Sequence, residues 1–390
     1  MIERMLNEIE HLLNSEDIMH MKDRNGAVDF VRTAALLGIC VVNMTFLGLP
    51  VEAAFRPPEA SGDRFAAFAV EALFQAKFFL LFSFVFGWGM HIQALSAQRA
   101  GVSFAGRYGR RLAGLALLGC LHAVLVFTGD ILLLYALLGL LIWPLRGLPP
   151  WALMRIAAGA VPVAVAAMLV LALLLPEEMP AGLGVGLGGS YFDATYARLA
   201  DWPATFGFLL LFQGPLAFGA FAAGLAAAKS DFFSAGSPGQ AALFRAAPWL
   251  IIIGLPLNMV YAAAMSGFIP ENLDWLVLAG FVAIAAGAPM LSAAYLAAFL
   301  RLSRLSALPA VLVRAGRNSL SAYVAQGVIA GLVFGGYGLG LFGALGQATL
   351  AGLGLAVALV AMVAVGLVAG RFGRGPLEAV LRRMTYGAGH

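Results

Sequence analysis

One histidine lies in the middle of an apolar stretch that is long enough to cross a bilayer. His122 is preceded by Arg110 and Arg111 and followed by Asp130, with mostly apolar residues between them. An ionisable group inside hydrocarbon costs on the order of a few kcal/mol, so it usually faces the interior of a helix bundle and has a function. A neutral imidazole both accepts and returns a proton near physiological pH. His122 is therefore our candidate general base, and the alternative is a structural hydrogen bond to a neighbouring helix.

Asp130 is the second candidate catalytic residue. It follows Gly129 in the predicted turn after the helix of His122, where an aspartate can also act as the N-cap of the next helix. Eight helical residues would separate His122 from Asp130 by about 12 Å along the axis. The spacing predicts a gap that a substrate or a chain of water molecules spans.

Three polar side chains follow one stripe of the first predicted transmembrane helix. Asp29, Arg32 and Asn43 all lie within about 60° of one another at 100° per residue. Asp29 could simply stabilise a helix N-terminus, and Arg32 could extend to the membrane surface. Asn43 is too deep for that, so it must find partners inside the bundle.

Other polar residues at membrane depth are candidate ligand-binding or structural groups. Lys77 begins the second predicted span, and Ser83 is expected to bond to a carbonyl of its own helix. In the ninth predicted helix, Tyr323 and Gln326 share one face with Ser319. Asn318 is a candidate cap of that helix, while Gln326 is expected to donate an interhelical hydrogen bond or to line a pocket.

Composition identifies the class of protein. The chain is 62% hydrophobic and only 11% charged over 390 residues, whereas soluble domains carry about 25% charged residues. The sequence predicts an all-α polytopic membrane protein of ten helices in one bundle, because spans of about 20 apolar residues recur. The predicted spans are 28–49, 77–97, 111–128, 131–145, 151–175, 203–228, 247–268, 274–300, 318–340 and 347–369.

The remaining segments complete the predicted organisation. Residues 1–21 are expected to form an amphipathic cytoplasmic segment, 22–370 the membrane domain and 371–390 a cytoplasmic tail. Residues 65–76 are expected to continue helically into the second span, and 176–202 to form an outer loop that is flexible at 176–190. Lys and Arg crowd alternate loops, which predicts that both termini are cytoplasmic. Neither a metal-ligand cluster nor a nucleotide fingerprint is found in the sequence.

Five segments, in order, resemble those of the DUF418, or YeiB-like, bacterial membrane proteins. The helix-one motif departs from the family at Thr33, where the family usually has Gly, which implies looser packing there. The five segments are Val28 to Asn43, Lys77 to Gly87, Arg110 to Tyr135, Gly316 to Gln326 and Gly375 to Tyr386.

This family is distantly similar to the wider transmembrane acyltransferases, which include acyltransferase-3 and heparan N-acetyltransferase-like proteins. That resemblance implies a multi-pass protein of the bacterial inner membrane that uses acyl-CoA, such as acetyl-CoA, as a co-substrate and binds no permanent cofactor. It implies that His122 is the catalytic histidine. It also implies that Arg32, Arg110 and Arg111 hold the phosphates of CoA.

The enzyme hypothesis places the donor on the cytoplasmic side and the acceptor, a small molecule, lipid or glycan, near Asp130. Asn43, Ser83 or Gln326 would then donate to the developing oxyanion. The alternative is a secondary transporter or exporter that uses the same polar residues as a midplane site. A scaffold without a small-molecule site is a third possibility. We expect the bilayer as a partner, allow a homodimer, and expect no nucleic acid.

Overall fold

A computed structural model describes residues 26–174, 184–234, 236–270 and 272–387, and these are helical with no strand among them. The predicted all-α class is confirmed over this part of the chain. The helices are α1 (Gly26–Gly48), α2 (Val51–Phe55), α3 (Ser61–Leu73), α4 (Lys77–Arg99), α5 (Phe104–Leu125), α6 (Leu132–Ile142), α7 (Pro150–Leu174), α8 (Tyr191–Phe212), α9 (Gly214–Lys229), α10 (Pro238–Met265), α11 (Asp274–Leu305), α12 (Ala310–Arg317), α13 (Ser319–Phe334), α14 (Gln347–Phe372) and α15 (Pro376–Tyr386).

Several helices are long and apolar enough to cross a membrane. By length and composition there are six in the described part of the chain, or seven if α8 and α9 form one bent span. They are α1, α3 together with α4, α7, α10, α11 and α14. The predicted count of ten is not confirmed, because the other predicted spans correspond to α5, α6 and α13, which do not meet the same criterion. Two of these helices carry central residues of the candidate site, His122 and Arg111 on α5 and Tyr323 and Gln326 on α13.

The segment predicted as a long outer loop is partly helical. Helix α8 begins at Tyr191, where Ser190 and Asp193 form a reciprocal capping box. Ser-x-x-Asp is close to the Ser-x-x-Glu signature of a helix start, so the sequence carried a signal for this helix. The predicted span 203–228 corresponds to a bent pair of helices and not to one straight helix, since α8 and α9 meet at Gln213 with a bend of 52°. Residues 175–183 lie outside the described part of the chain.

A three-residue turn separates α3 from α4, where the sequence predicted a continuous helix. Ala76 in this turn has a left-handed backbone, with φ of 69°. Lys77 follows it and is completely buried. Its ammonium donates a hydrogen bond of 2.9 Å to the carbonyl oxygen of Glu71, a group that the turn leaves without a helical partner. Lys77 thus stabilises the junction from inside.

The C-terminal residues fold back onto the bundle. Helix α15 packs against α5 and α13, and Arg110 of α5 donates a hydrogen bond of 2.9 Å to the carbonyl oxygen of Thr385. Part of the segment predicted as a tail is therefore packed against the helices of the bundle. The amphipathic segment predicted at residues 1–21 lies outside the described residues.

The outer surface of the bundle is apolar. Leu173 on α7, Ile252 on α10 and Val360 on α14 are among many large hydrophobic side chains that remain exposed. Contiguous apolar surface of this kind needs a nonaqueous neighbour. Together with the apolar helices, it indicates a multi-pass membrane protein.

Candidate active site

His122 and Asp130 form a buried dyad. The distance from His122 Nδ1 to Asp130 Oδ1 is 2.8 Å, and the two side chains are only 2% and 1% exposed. The other carboxylate oxygen, Oδ2, accepts hydrogen bonds from the backbone N–H groups of Leu132 and Leu133. An ionised carboxylate can only accept hydrogen bonds, so with Asp130 in that form Nδ1 of the imidazole is the donor of this contact. The lone pair is then on Nε2.

The predicted gap of about 12 Å between these residues is wrong. Helix α5 ends at Leu125 and the chain reverses, so that α6 packs antiparallel to α5 and Asp130 returns to the level of His122. Asp130 is the predicted cap of the next helix and the partner of His122 at once. Gly119 makes this approach feasible, since a side chain there would come within 2.8 Å of Asp130 Oδ2.

The free nitrogen of the imidazole lies against α13. A β-carbon at Gly327 would come within 3.0 Å of His122 Nε2, so only glycine lets this helix approach the ring. The ring of Tyr323 lies 5.1 Å from that of His122, centroid to centroid. Three buried polar atoms here have no partner among the described residues: His122 Nε2, the Tyr323 hydroxyl and Gln326 Oε1.

These groups surround a small cavity of about 10 Å³, which Asn43 and Cys40 also line. A volume of this size holds about one water molecule. Buried polar atoms almost always have hydrogen-bond partners. The three unpartnered atoms are therefore placed to bind one small polar group, such as a water molecule or a substrate oxygen. Gln326 also meets its predicted interhelical role, because Nε2 donates to the carbonyl oxygen of Leu36 at 3.3 Å.

A much larger cavity lies on one side of the dyad. Its volume is about 720 Å³, and Tyr135, Ile131 and Tyr323 are among the residues that line it. It extends to one end of the bundle, which we call the basic end. The arginines that line it are Arg32, Arg111, Arg314, Arg317, Arg374 and Arg382.

Of the three arginines predicted to hold phosphate groups, Arg32 and Arg111 line the basic cavity and Arg110 does not. Arg32 lines this basic cavity and lies 3.5 Å from Asp29, whose other oxygen accepts a 2.6 Å hydrogen bond from Arg317 Nε. Asp29 thus ties α1 to α12 and orients two guanidinium groups. Arg111 also lines the cavity, and its Nε is buried without a partner among the described residues. Arg110 does not line it and instead holds α15 through Thr385.

Glu378 and Asn318 line the basic cavity and connect the helices around it by hydrogen bonds. The Glu378 carboxylate accepts hydrogen bonds from the backbone N–H groups of Leu320 and Ser321, so it caps α13 from α15. Asn318 does not cap α13 through its side chain. Its amide nitrogen donates to the carbonyl oxygen of Arg314, and its amide oxygen accepts from the N–H of Gly375. Asn318 therefore joins α12 to the α14–α15 turn.

The sequence predicted that Ser83 bonds to a carbonyl of its own helix, and the structure shows a different partner. Its hydroxyl lies 2.6 Å from that of Tyr135, and the Tyr135 hydroxyl donates to the Phe79 carbonyl oxygen at 3.1 Å. The Phe79 carbonyl oxygen, four residues before Ser83 on α4, therefore accepts its side-chain hydrogen bond from Tyr135 of α6 and not from Ser83. Ser83 is fully buried and lines none of the three cavities described, so it is not positioned to stabilise an oxyanion.

A third cavity, of about 380 Å³, is mainly apolar. It shares Ile39 and Ile131 with the basic cavity. It also shares Asn43 and Phe127 with the small cavity beside His122. Neither His122 nor Asp130 lines either large cavity, but the small cavity beside His122 shares Tyr323 with the basic cavity and Asn43 and Phe127 with the apolar cavity.

Sequence reasoning missed several of these residues. In the sequence, Arg314, Arg317, Arg374 and Arg382 indicate only membrane topology, and the residues of α15 are predicted to form a tail. Asp201, which lines the apolar cavity, fell in a predicted loop. No cluster of three His, Cys, Asp or Glu side chains with metal-binding geometry occurs among the described residues.

Comparison with known proteins supports the family resemblance. Residues 227–388 match the family described as "Protein of unknown function (DUF418)". YxaH of Bacillus subtilis (strain 168), an uncharacterized protein, is 28% identical over 396 residues, which cover 93% of this chain and 94% of its own length. The uncharacterized protein YeiB of Escherichia coli (strain K12) is 38% identical over 128 residues, covering 32% of this chain and 31% of its own. No solved structure matches the chain.

Proposed function

Since this chain carries a DUF418 region, and its similar proteins are described only as uncharacterized, we propose its function from the site itself. We propose that it is an integral membrane acyltransferase. It moves an acyl group from a phosphate-bearing acyl thioester, such as acyl-CoA, to an acceptor within or across the membrane. His122 is the general base and Asp130 orients it.

The observation that carries this proposal is that the small cavity beside the dyad shares lining residues with two larger and unlike cavities. In one of them six arginines line a space of about 720 Å³, which falls within the size range of small-molecule sites. Arginine is the residue best suited to bind phosphate, because its planar group donates two parallel hydrogen bonds. Only Glu378 is acidic among the lining residues of this cavity, and it is occupied in capping α13. The basic cavity therefore suits a polyphosphate donor.

The chemistry required of the dyad is simple. The acceptor hydroxyl or amine gives its proton to His122 Nε2 as its oxygen or nitrogen attacks the thioester carbonyl carbon. The carbon–sulfur bond then breaks, and the departing thiolate takes the proton from the imidazolium. The products are an ester or amide and a free thiol. Asp130 stabilises the transient imidazolium, as a buried carboxylate does in the Ser-His-Asp triad.

Tyr323 is suited to bind the substrate carbonyl because its hydroxyl can donate, whereas the unpartnered Oε1 of Gln326 only accepts and its Nε2 already donates to the carbonyl oxygen of Leu36. The Tyr323 hydroxyl has no hydrogen-bond partner among the described residues, and its side chain lines both the small cavity and the basic cavity. A single donor aimed at a developing oxyanion is worth about 10²- to 10³-fold in kcat. Asn43, which also lines the small cavity, can supply a second donor.

The direct test uses purified protein in liposomes with radiolabelled acetyl-CoA and a membrane lipid extract as the source of acceptor. We expect release of free CoA thiol and transfer of label to a second molecule. A protein that never consumes acyl-CoA, with any extract, would remove the enzyme proposal.

The variant Asp130→Asn tests whether Asp130 orients His122 for catalysis or only caps helix α6. Asparagine caps helices about as well as aspartate, so we expect the melting temperature to change little. The neutral amide can no longer hold the Nδ1–H tautomer or stabilise an imidazolium, so turnover should fall by about 100-fold or more. Steady-state kinetics and thermal unfolding in detergent measure both effects. Normal turnover in Asp130→Asn would leave Asp130 as a cap alone.

Transport remains the second candidate function, and one observation favours it. Helices α8 and α9 form a broken pair, bent by 52°, and the buried Oε1 of Gln213 at the break has no partner among the described residues. Broken helices form the substrate sites of many transporters. Uptake of a solute into liposomes without consumption of acyl-CoA would favour this function.

We also propose that the basic end faces the cytoplasm, because basic loops are retained there. Two exposed positions suit this test: Leu305, the last residue of α11, is 81% exposed, and Leu339 after α13 is 70% exposed. In a background with both native cysteines replaced, we expect Leu339→Cys to react with an impermeant maleimide in intact cells. Leu305→Cys should react only after permeabilisation. The reverse pattern would invert the proposed orientation.

A further inference from the structure

The apolar cavity contains one ionisable side chain among its lining residues, the carboxylate of Asp201. Asp201 lies on α8 with Thr205, Phe208 and Phe212 at helical spacing, so one face of the helix lines the cavity. Helix α8 is a candidate membrane span only together with α9, and acids within such segments are rare and usually have a functional partner. No cation forms an ion pair with Asp201 in the described part of the chain.

The nearest cationic side chain along α8, that of Arg198, is hydrogen-bonded to other groups. Arg198 is one turn before Asp201, but its Nε donates to the carbonyl oxygen of Val124 at 2.9 Å. A second guanidinium nitrogen donates to the hydroxyl of Thr195 at 3.3 Å. Arg198 therefore fastens α8 to α5 and does not neutralise Asp201.

Aromatic rings form much of the rest of the cavity wall. Phe46 contacts Phe55, Phe55 contacts Phe208 edge-on, and Phe208 stacks on Phe212, with centroid distances of 5.9, 5.7 and 5.4 Å. All four residues line the cavity. The faces of aromatic rings attract cations, so this row of rings and the lone carboxylate favour the same charge.

From these observations we propose that the apolar cavity is a binding site for an amphiphilic organic cation. Its ammonium group pairs with Asp201 beside the aromatic row, and its apolar body lies along the phenylalanines. The cavity volume of about 380 Å³ is within the range of sites for small organic molecules.

This inference deepens the proposed function, on which its catalytic meaning rests, by naming the class of acceptor. An ammonium held at Asp201 has no free lone pair to attack a thioester. The group presented to His122, along the side of the cavity that Asn43 and Phe127 share with the small cavity, is therefore a second one, a hydroxyl or another amine.

The test measures binding and does not depend on turnover. The probe is 4-phenylbutylammonium, compared with the neutral 4-phenylbutanol, in calorimetric titrations of the purified protein. We expect the wild-type protein to bind the ammonium at least about tenfold more tightly than the alcohol, as for a charge-assisted contact beside aromatic rings. Asp201→Asn should abolish this preference, and Phe208→Leu should reduce it.

Two controls keep the outcomes distinct. Asp274→Asn removes an exposed acid at the start of α11 and should leave the preference unchanged. His122→Gln should also keep the preference, so that a protein without acyltransferase activity could still show this site. Equal binding of the ammonium to wild type and Asp201→Asn, or no preference for the ammonium over the alcohol, would overturn the proposal.

Discussion

His122→Gln is expected to lose acyl transfer almost completely while remaining folded. Glutamine can donate and accept hydrogen bonds in the same space but cannot exchange a proton at neutral pH. General base catalysis contributes about 10²- to 10⁴-fold, and we expect a loss of turnover in that range. His122→Ala should be equally inactive, and neither variant should change the affinity for the acyl donor by more than a small factor. Turnover and donor binding are measured separately, by product formation and by calorimetry.

The matched control is His91→Gln in α4, which changes the same residue type outside the three cavities. It should keep near-normal turnover. If His122 were only structural, His122→Ala would lower the melting temperature, since burying Asp130 without its partner is unfavourable. His122→Gln would then restore much of both stability and activity. A stable His122→Gln protein with near-normal turnover would remove the proposed mechanism.

Arg111→Ala is expected to weaken donor binding by about 10- to 150-fold, which corresponds to about 1.5–3 kcal/mol for a hydrogen bond to a charged group. Arg111 lines the basic cavity, and its buried Nε has no partner among the described residues, so a bound phosphate would supply one. Arg111→Lys should restore only part of the affinity, because lysine cannot donate the two parallel hydrogen bonds of a guanidinium. Arg32→Ala should act in the same direction. Calorimetry with a nonhydrolysable acyl-CoA analogue measures these effects.

Arg155→Ala is the control for this series. Arg155 stacks over Trp151 on α7 and does not line the basic cavity, so its loss removes one positive charge without changing the proposed site. Affinity should be unchanged. An equal loss in Arg155→Ala and Arg111→Ala would mean that the arginines act only through net charge, and unchanged binding in Arg111→Ala would remove it from the donor site.

The sequence by itself determined the class of the protein and the type of its central residues. Apolar runs and a low charged fraction require a membrane protein whatever the tertiary structure, because such a chain cannot be solvated as a soluble domain. The depth of His122 in an apolar run similarly required an interior position. The segment motifs were enough to indicate the DUF418 resemblance. The count of spans was less predictable, because α5, α6 and α13 are short or interrupted by polar groups.

Only the tertiary structure decided which of these groups meet. Helical spacing measures distance along one axis, and it placed His122 and Asp130 far apart, although the reversal of the chain after Leu125 brings them into direct contact. The same limit hid the role of the C-terminal segment, whose Arg374 before α15 and Arg382 on α15 join the basic cavity only because the chain folds back onto α5.

Side-chain partners across helices were also beyond the sequence. The residues around Ser83 in the sequence do not indicate that Tyr135 donates to the Phe79 carbonyl oxygen. The residues around Asp29 likewise do not indicate that its carboxylate pairs with Arg317 and is not solvated. These contacts depend on the rotation and depth of one helix against another. Packing of the whole bundle sets both, and no single segment carries that information.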